Sequence, residues 1–484
     1  MNHIQNYIGK IPLIVILILL TGCRGSIQQP EEYYCQLFAG EPGQTSIILQ
    51  ARLQRTDTLV NNDLPGIKGF IKFRITRDTK IQSFLESNFF QTSDSTDYIV
   101  KYEFTGLRPG QQYFYRICYG RDTSNFTSSP WNSFKTLELP DAISSFSFAV
   151  ISGLNFNFQY PGSAGNAALQ KTTSEKTPVN SVFRAISSLK PDLLIGMDDY
   201  ENYLSENYEG LDQNGLREKW HRVFSIPEFT RMLSHIPASW MADGNNLNFY
   251  NKDLLSSNDS GKSSISDKET ISRVFYSELP LPEEIAENNQ SYRTCRLNKD
   301  VQIWMLEESL FPAQCSKNNL YGKDLSGAFQ LNWLKKTLKE SDAAFKILIS
   351  SFPFVGPVSD HSDFREYKTD RDSLFNWLKN NGFRHNGLYF ICGDTYKQYH
   401  SIDPMGFEEF SCGTLIEMDG TSVNSINDSI NTETESQVVQ HYIQNDNKAG
   451  FLLVNSERDE YNSPVLLFRF FDDQKRLLYA VNKY

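Results

Sequence analysis

Five short runs built almost wholly from apolar residues set the limits on what this chain can become: Phe146–Ile151, Leu193–Met197, Val301–Leu306, Phe345–Ser350 and Leu388–Cys392. A strand with one face in water alternates apolar and polar side chains. A run without alternation fits a strand covered on both faces. Between the runs, apolar residues recur at helical spacing: Val182, Ile186 and Leu189; Leu331, Leu334 and Leu338; Leu374 and Leu378. Strands alternating with such helices predict a layered α/β domain. Ligands in such domains gather at the carboxyl ends of strands. Two carboxylates stand there. Asp199 follows Leu193–Met197, and Asp394 follows Leu388–Cys392 after a single glycine. A strand, a tight turn and a carboxylate present hard oxygen donors to a phosphate and its cations. Each aspartate alone reads equally well as a helix cap or turn residue.

Before the first of these runs, from about Leu37 to Leu139, the period is two. Ile47, Leu49, Ala51 and Leu53 share a face; Ile71, Phe73 and Ile75 repeat the pattern, as do Tyr98, Val100, Tyr102 and Phe104, then Tyr113, Tyr115, Ile117 and Tyr119. Alternation broken by turns predicts a half-buried antiparallel β-sandwich. The turn Gly106-Leu107-Arg108-Pro109-Gly110 with Tyr113 behind it resembles the tyrosine corner of fibronectin type III-like domains. Nothing in this region offers chemistry. It reads as a structural cap on the next domain, with a partner-binding module as the other option.

The amino terminus carries an address. Lys10 precedes an apolar run, Ile11–Leu20, too short to span a membrane and suited to a secretory signal. Leu20-Thr21-Gly22-Cys23 resembles a lipobox, which predicts lipidation at Cys23 and an exported, membrane-anchored lipoprotein facing the periplasm or the outer surface. The expected division is residues 1–22 signal peptide, 23–36 linker, 37–139 β-sandwich and 140–484 α/β domain. A net charge of -11 argues against nucleic acid as a partner, since that needs a basic patch. Beyond Cys23 six cysteines remain, an even number in an exported chain. Cys35–Cys118, Cys295–Cys315 and Cys392–Cys412 are the pairings expected, with free buried thiols as the alternative. The polar stretch Asn251–Lys268 reads as a surface loop.

The order of these features resembles the PhoD-like alkaline phosphatases, a branch of the metallophosphoesterases with an N-terminal sandwich. The resemblance runs from roughly Phe38 to Leu415. It rests on Leu107-Arg108-Pro109-Gly110 with Tyr113, Tyr115 and Arg116; on Ser147–Ile151; on Pro191-Asp192 leading to Asp199; on Arg222, Pro227-Glu228, Pro237, Trp240 and Asp243; and on Gln330, Trp333-Leu334, Lys346-Ile347 and Gly393-Asp394. It implies metal-assisted phosphoester cleavage, with iron and calcium ions binding the phosphate and stabilising the charge of the transition state.

The match fails at specific positions. The family's Gly-Ser-Cys, whose thiolate binds iron, aligns with Ile151-Ser152-Gly153. Gly-Asp aligns with Asp198-Asp199 and keeps its ligand. Trp-Asp-Asp-His-Asp aligns with Ala242-Asp243-Gly244-Asn245-Asn246, so Gly244 replaces a carboxylate and Asn245 a histidine. Leu-Asp-x-Arg aligns with Leu306-Glu307-Glu308-Ser309, where Ser309 replaces the cation. Gly-Asp-Arg-His aligns with Gly393-Asp394-Thr395-Tyr396, where Tyr396 replaces the histidine. Asp199 and Asp394 are the metal ligands that remain, with Asp243 as a supporting carboxylate behind them. Losing even an indirect partner of a metal costs ~10–100-fold, so these losses predict an inactive or altered site with a binding role, toward a phosphorylated small molecule or another protein. The alternative is an active phosphoesterase using substitute ligands. Candidates for those are His361 with Asp360, Asp363 and Asp370, and also His385 and His400. Ser350-Ser351 lacks the nucleophile-elbow glycines of a serine hydrolase. Trp220, Trp240, Trp333 and Trp377 read as core.

Overall fold

The computed structural model describes residues 32–80, 83–153, 178–197, 213–241, 268–288, 291–307, 326–356, 368–393, 397–415, 438–446 and 448–484. The signal and lipobox residues, Cys23 among them, lie outside that set. Among the described residues no helix is long and apolar enough to cross a membrane.

The alternating N-terminal segments form strands β1 (Tyr34–Gly40), β2 (Ile47–Gln54), β3 (Phe70–Thr76), β4 (Leu85–Glu86), β5 (Phe90–Gln91), β6 (Ile99–Phe104), β7 (Gln112–Gly120), β8 (Thr127–Ser128) and β9 (Asn132–Lys135). β1, β2 and β6 pair antiparallel, and β3 pairs β7 in a second sheet that includes the four short strands. Ile47, Leu49, Ala51 and Leu53 meet Ile71, Phe73, Ile75, Tyr115 and Ile117 in one core. The tyrosine corner is formed: the Arg108 amide donates to the Tyr113 hydroxyl at 2.9 Å.

One expectation changes. β2 is buried at every position, not half-buried. Its polar residues face helices of the following region. Gln50 Nε2 donates to the Glu278 carbonyl at 2.6 Å, and on β1 Gln36 Nε2 donates to the Phe224 carbonyl at 3.0 Å.

The later helices are α1 (Pro178–Leu189), α2 (Gln213–Phe224), α3 (Pro227–Leu233), α4 (Lys268–Glu278), α5 (Glu283–Asn288), α6 (Ser326–Glu340) and α7 (Lys368–Asn380). Among them run β10 (Phe146–Ile151), β11 (Leu193–Gly196), β12 (Ala238–Trp240), β13 (Arg293–Arg296), β14 (Val301–Leu306), β15 (Phe345–Ser350) and β16 (Leu388–Cys392). β17 (Gln398–Ile402), β18 (Glu408–Cys412), β19 (Val439–Ile443), β20 (Gly450–Arg458), β21 (Pro464–Asp472) and β22 (Leu477–Lys483) follow. The strands fall into two sheets, β22-β21-β20-β10-β11-β12-β1-β2-β6 and β13-β14-β15-β16-β18-β17-β19.

The apolar runs lack alternation because each face of each strand has a cover. Phe148 and Val150 of β10 turn toward the other sheet, packing with Ile303, Ile347 and Ile391. Ala149 and Ile151 turn outward onto Val182, Phe183 and Ile186 of α1 and Trp220 of α2. On the far side Trp304, Leu348 and Phe390 meet Leu334, Leu338, Leu374 and Leu378 of α6 and α7. The layering is helix, sheet, sheet, helix. Trp220 and Trp240 are buried in the core beneath α1 and α2, while Trp333 of α6 and Trp377 of α7 are partly buried against the core on the far side.

The sandwich and the α/β layers share one sheet. β1 joins β12 in parallel where Gly40 pairs with Ala238. The approach needs a glycine, since a Cβ at Gly40 would lie 2.5 Å from the Pro280 carbonyl oxygen. Arg293 then ties the regions together, donating to Glu41 (Nε to Oε2 3.0 Å, Nη2 to Oε1 2.5 Å) and to the Trp240 carbonyl at 2.9 Å.

The expected disulfides do not form among the described residues: Cys35, Cys118, Cys295, Cys392 and Cys412 are free thiols, and Cys315 lies outside the described set. Register explains one pair. Cys392 of β16 sits opposite Ser411 of β18, so Cys412 is one residue off and points to the other face of the sheet. Cys118 Sγ lies 3.4 Å from the Ser128 hydroxyl, and burial pushes the Cys35 thiol up to about 11.

Candidate functional site

The parallel strands β10, β11 and β12, with β14, β15, β16 and β18, direct their carboxyl ends to one end of the two sheets, and contacts show that these ends meet. A Cβ at Gly393, just past β16, would lie 2.7 Å from Ser152 Oγ and 3.3 Å from Met197 Cε. One at Gly153, past β10, would lie 2.6 Å from Thr414 Oγ1, past β18. Backbone bonds fasten the junction: the Met197 amide to the Ile151 carbonyl, Met241 to Gly196, Gly393 to Ser350 and Leu415 to Ser152, all at 2.9–3.1 Å.

Asp199, Asp243, Gly244, Asn245, Ser309, Asp394 and Tyr396 lie outside the described residues. So do His361, Asp360 and Asp363. The structure does bring together Met197 and Gly393, the residues that lead toward Asp199 and Asp394. Gly153 is described, and its conformation bears on chemistry. Its φ is +75°, a region that costs a non-glycine residue roughly 1–2 kcal/mol. Any side chain there would also press on the buried Thr414. The position aligned with the family's iron-binding cysteine is therefore built for a residue without a Cβ. Gly153→Cys should lower stability by roughly 1–3 kcal/mol in denaturant unfolding, from the left-handed backbone and the contact together. Adding Thr414→Ala should recover part of the loss.

Described residues near the aligned motifs have structural duties. Glu307, after β14, caps backbone amides of Ser291 and Tyr292 (the latter 3.1 Å away). Its own amide donates to Gln330 Oε1 at 2.9 Å. His400, one of the substitute-ligand candidates, has both ring nitrogens engaged: Nε2 with Glu408 at 2.9 Å and Nδ1 with the Tyr479 hydroxyl at 3.0 Å. Its ring stacks on Phe410 at 4.3 Å and His441 at 5.0 Å. It is a packed core histidine, not a free ligand. Asp370 sits in the first turn of α7 and His385 in the short 3-10 turn Phe383–His385.

Two features escaped the sequence. Glu409 of β18 is fully buried and accepts the amides of Phe354, Val355 and Gly356 at 2.5, 3.1 and 2.7 Å, and the Tyr399 hydroxyl at 2.8 Å. Burial pushes its carboxyl above the usual range although the amides pull the other way. The turn it holds follows β15 at its carboxyl end. The second is a group with metal-ligating donors, Asp97, His221 and Glu278, whose ligand atoms lie within 4.8 Å of one another. It sits on the outer face of β2 and β6 against α2 and α4, among residues far apart in sequence.

Comparison with known proteins agrees with this architecture. Residues 28–138 match the model of the PhoD-like phosphatase N-terminal domain, and residues 197–463 match that of the PhoD-like phosphatase. No curated protein sequence matches the chain. A solved structure of PhoD is similar over 92% of each chain, with 16% identity and a TM-score of 0.65. Purple acid phosphatase PPD1 from seeds of yellow lupin (Lupinus luteus) is similar over 93% of this chain and 74% of its own, with 11% identity and a TM-score of 0.58. At these identities the likeness speaks to the fold, which is that of the metallophosphoesterases. The family implies metal ions.

Proposed function

The chain belongs to the PhoD-like phosphatase family, and from that premise we propose that it is an exported, lipid-anchored member whose strand-end cleft binds a phosphorylated small molecule while turning it over poorly or not at all. The observation that carries this reading is Gly153. Where the family places a thiolate, this chain has a left-handed glycine whose missing Cβ is already filled by Thr414. That position cannot supply a ligand without moving the floor of the cleft. Gly244, Asn245, Ser309 and Tyr396 remove further donors in the aligned motifs.

Bound metal ions in this fold polarise a phosphoryl oxygen and activate a water or hydroxide. Asp199 and Asp394 would hold what metal binds here, with iron or calcium the family's ions. Two carboxylates fall short of the donor count that a defined binuclear centre needs. What the rest of the chain contributes is shape: Ser152, Thr414 and the Glu409-anchored turn fix the backbone from which these residues depart.

The active-enzyme reading rests on the family match over residues 197–463, and one experiment separates the two. The purified full chain is analysed for bound iron and calcium and assayed on a chromogenic phosphate monoester and diester. The proposal expects metal well below one ion per chain, and no hydrolysis that Asp199→Ala abolishes. It also expects inorganic phosphate or an unhydrolysed phosphate ester to bind measurably. Stoichiometric metal with turnover lost in Asp199→Ala would establish the phosphoesterase instead.

A further inference from the structure

On the outer face of the nine-stranded sheet, seven ionisable side chains meet, most of them out of water. Arg52 (β2) forks onto Asp97, Nε to Oδ2 at 2.8 Å and Nη2 to Oδ1 at 3.0 Å. His221 (α2) sets its Nε2 2.6 Å from Asp97 Oδ2 and its Nδ1 against the Asp63 carboxylate. Arg217 (α2) donates to the Ser95 carbonyl at 2.9 Å and approaches Glu278 Oε1 (α4) at 3.7 Å. Glu278 is 1% exposed and its Oε2 has no partner. On β6, Lys101 donates to the Tyr276 carbonyl at 2.5 Å; burial lowers its proton affinity while the Glu278 and Glu283 carboxylates pull the other way.

The Asp97, His221 and Glu278 donors have the composition of a metal site, but their geometry fits hydrogen bonds better than a tetrahedral cation. Two ligand atoms at ~2.0–2.1 Å from a tetrahedral ion stand about 3.3 Å apart. The 2.6 Å between His221 Nε2 and Asp97 Oδ2 is the length of a charge-assisted hydrogen bond. Asp97 has already spent its oxygens on Arg52 and His221, and two guanidinium groups beside the trio would repel a third positive centre. Each ring nitrogen of His221 faces a carboxylate, which only accepts, so both nitrogens must carry hydrogen.

We infer that this cluster is a proton-held clasp: an imidazolium at His221, gripped by Asp63 and Asp97, fastens the sandwich to helix α2 beside the buried Glu278 carboxyl of α4, and the clasp loosens as protons leave. The sandwich side supplies Arg52, Asp63, Asp97 and Lys101; the helical side supplies His221, Arg217 and Glu278. Burial opposes the charge on His221, yet the Asp63 and Asp97 carboxylates outweigh it and raise its proton affinity. Burial, then the Asp97 charge, lifts Glu278 to about 7. Both groups bind a proton more tightly folded than unfolded. Their contribution is complete below the unfolded values, roughly 4.3 for Glu and 6.5 for His, and fades as pH rises through the folded ones. The clasp therefore holds in mild acid and weakens from neutral pH upward.

The test is thermal unfolding of the full chain across pH, with and without excess zinc or calcium chloride. Wild type should lose melting temperature between about pH 5 and pH 8. Glu278→Gln imitates the protonated acid permanently. It should match wild type at about pH 5 and exceed it by roughly 2–4 °C at about pH 8. His221→Gln should melt lower in acid and respond less to pH above neutrality. A flat wild-type profile, or Glu278→Gln melting below wild type at both ends, overturns the clasp. So does a metal-dependent rise in melting temperature that Glu278→Gln abolishes, which would make the cluster a metal centre.

Discussion

Asp97→Ala should cost this protein roughly 3–5 kcal/mol of stability, read by denaturant unfolding at neutral pH. Asp97 answers Arg52 through two hydrogen bonds and His221 through a third. Arg52 and His221 are 4% and 5% exposed, so neither can turn to water for a replacement. Removing the anion leaves two buried cations facing each other, and desolvation rather than lost attraction dominates the penalty. Burial alone would raise the Asp97 carboxyl, but hydrogen bonds from His221 and Arg52 hold it down at about 2. Its contribution is thus present above the ordinary aspartate value of ~3.9 and disappears only as pH falls toward 2. The variant and wild type should converge in strong acid. Equal stability of the two at pH 7 would contradict the arrangement of charges described above.

Glu409→Ala should have a comparable effect through a different route. The carboxylate serves three consecutive amides and a tyrosine hydroxyl in a place with no solvent. Each donor left unmet costs about 1–3 kcal/mol, so a loss of at least about 3 kcal/mol is expected. Glu409→Gln keeps one acceptor oxygen and should fall between. Amide hydrogen exchange supplies the local readout: Phe354, Val355 and Gly356 should lose protection in the alanine variant before the sheets do. If those amides stay protected, the side chain is not what anchors the turn.

Much of the fold was open to reading in the sequence because burial on both faces leaves a direct mark. The run Phe146–Ile151 is apolar throughout because Phe148 and Val150 enter one core while Ala149 and Ile151 enter another. The Tyr113 corner was readable because turn chemistry is local. The half-buried expectation for β2 failed for a tertiary reason: Gln50 and Arg52 look like solvent-facing residues until α2 and α4 cover them. The clasp left no local trace, since Asp97, His221 and Glu278 meet only after folding. Glu409 was missed because the pair Glu408-Glu409 before Phe410 gives no hint of the amides waiting for one of them. The disulfide expectation counted cysteines but not register, and a one-residue offset puts Cys392 and Cys412 back to back. At the cleft, the sequence located the strand ends correctly. There Gly153 aligns with the family's cysteine, and the backbone at that residue is left-handed.

The junction of Gly40 with Ala238 has a consequence for how this architecture is inherited. Because β1 continues the sheet that carries β10, β11 and β12, the first hundred residues of the folded part are not a bead that can be exchanged on a string. Cutting them away would strip a neighbour from β12 and bare the unpaired edge of the cleft's own scaffold. It would also leave α2 and α4 without the wall that completes their burial. Relatives that trade one N-terminal region for another must therefore recreate a matching strand edge, so the two parts are constrained to change together.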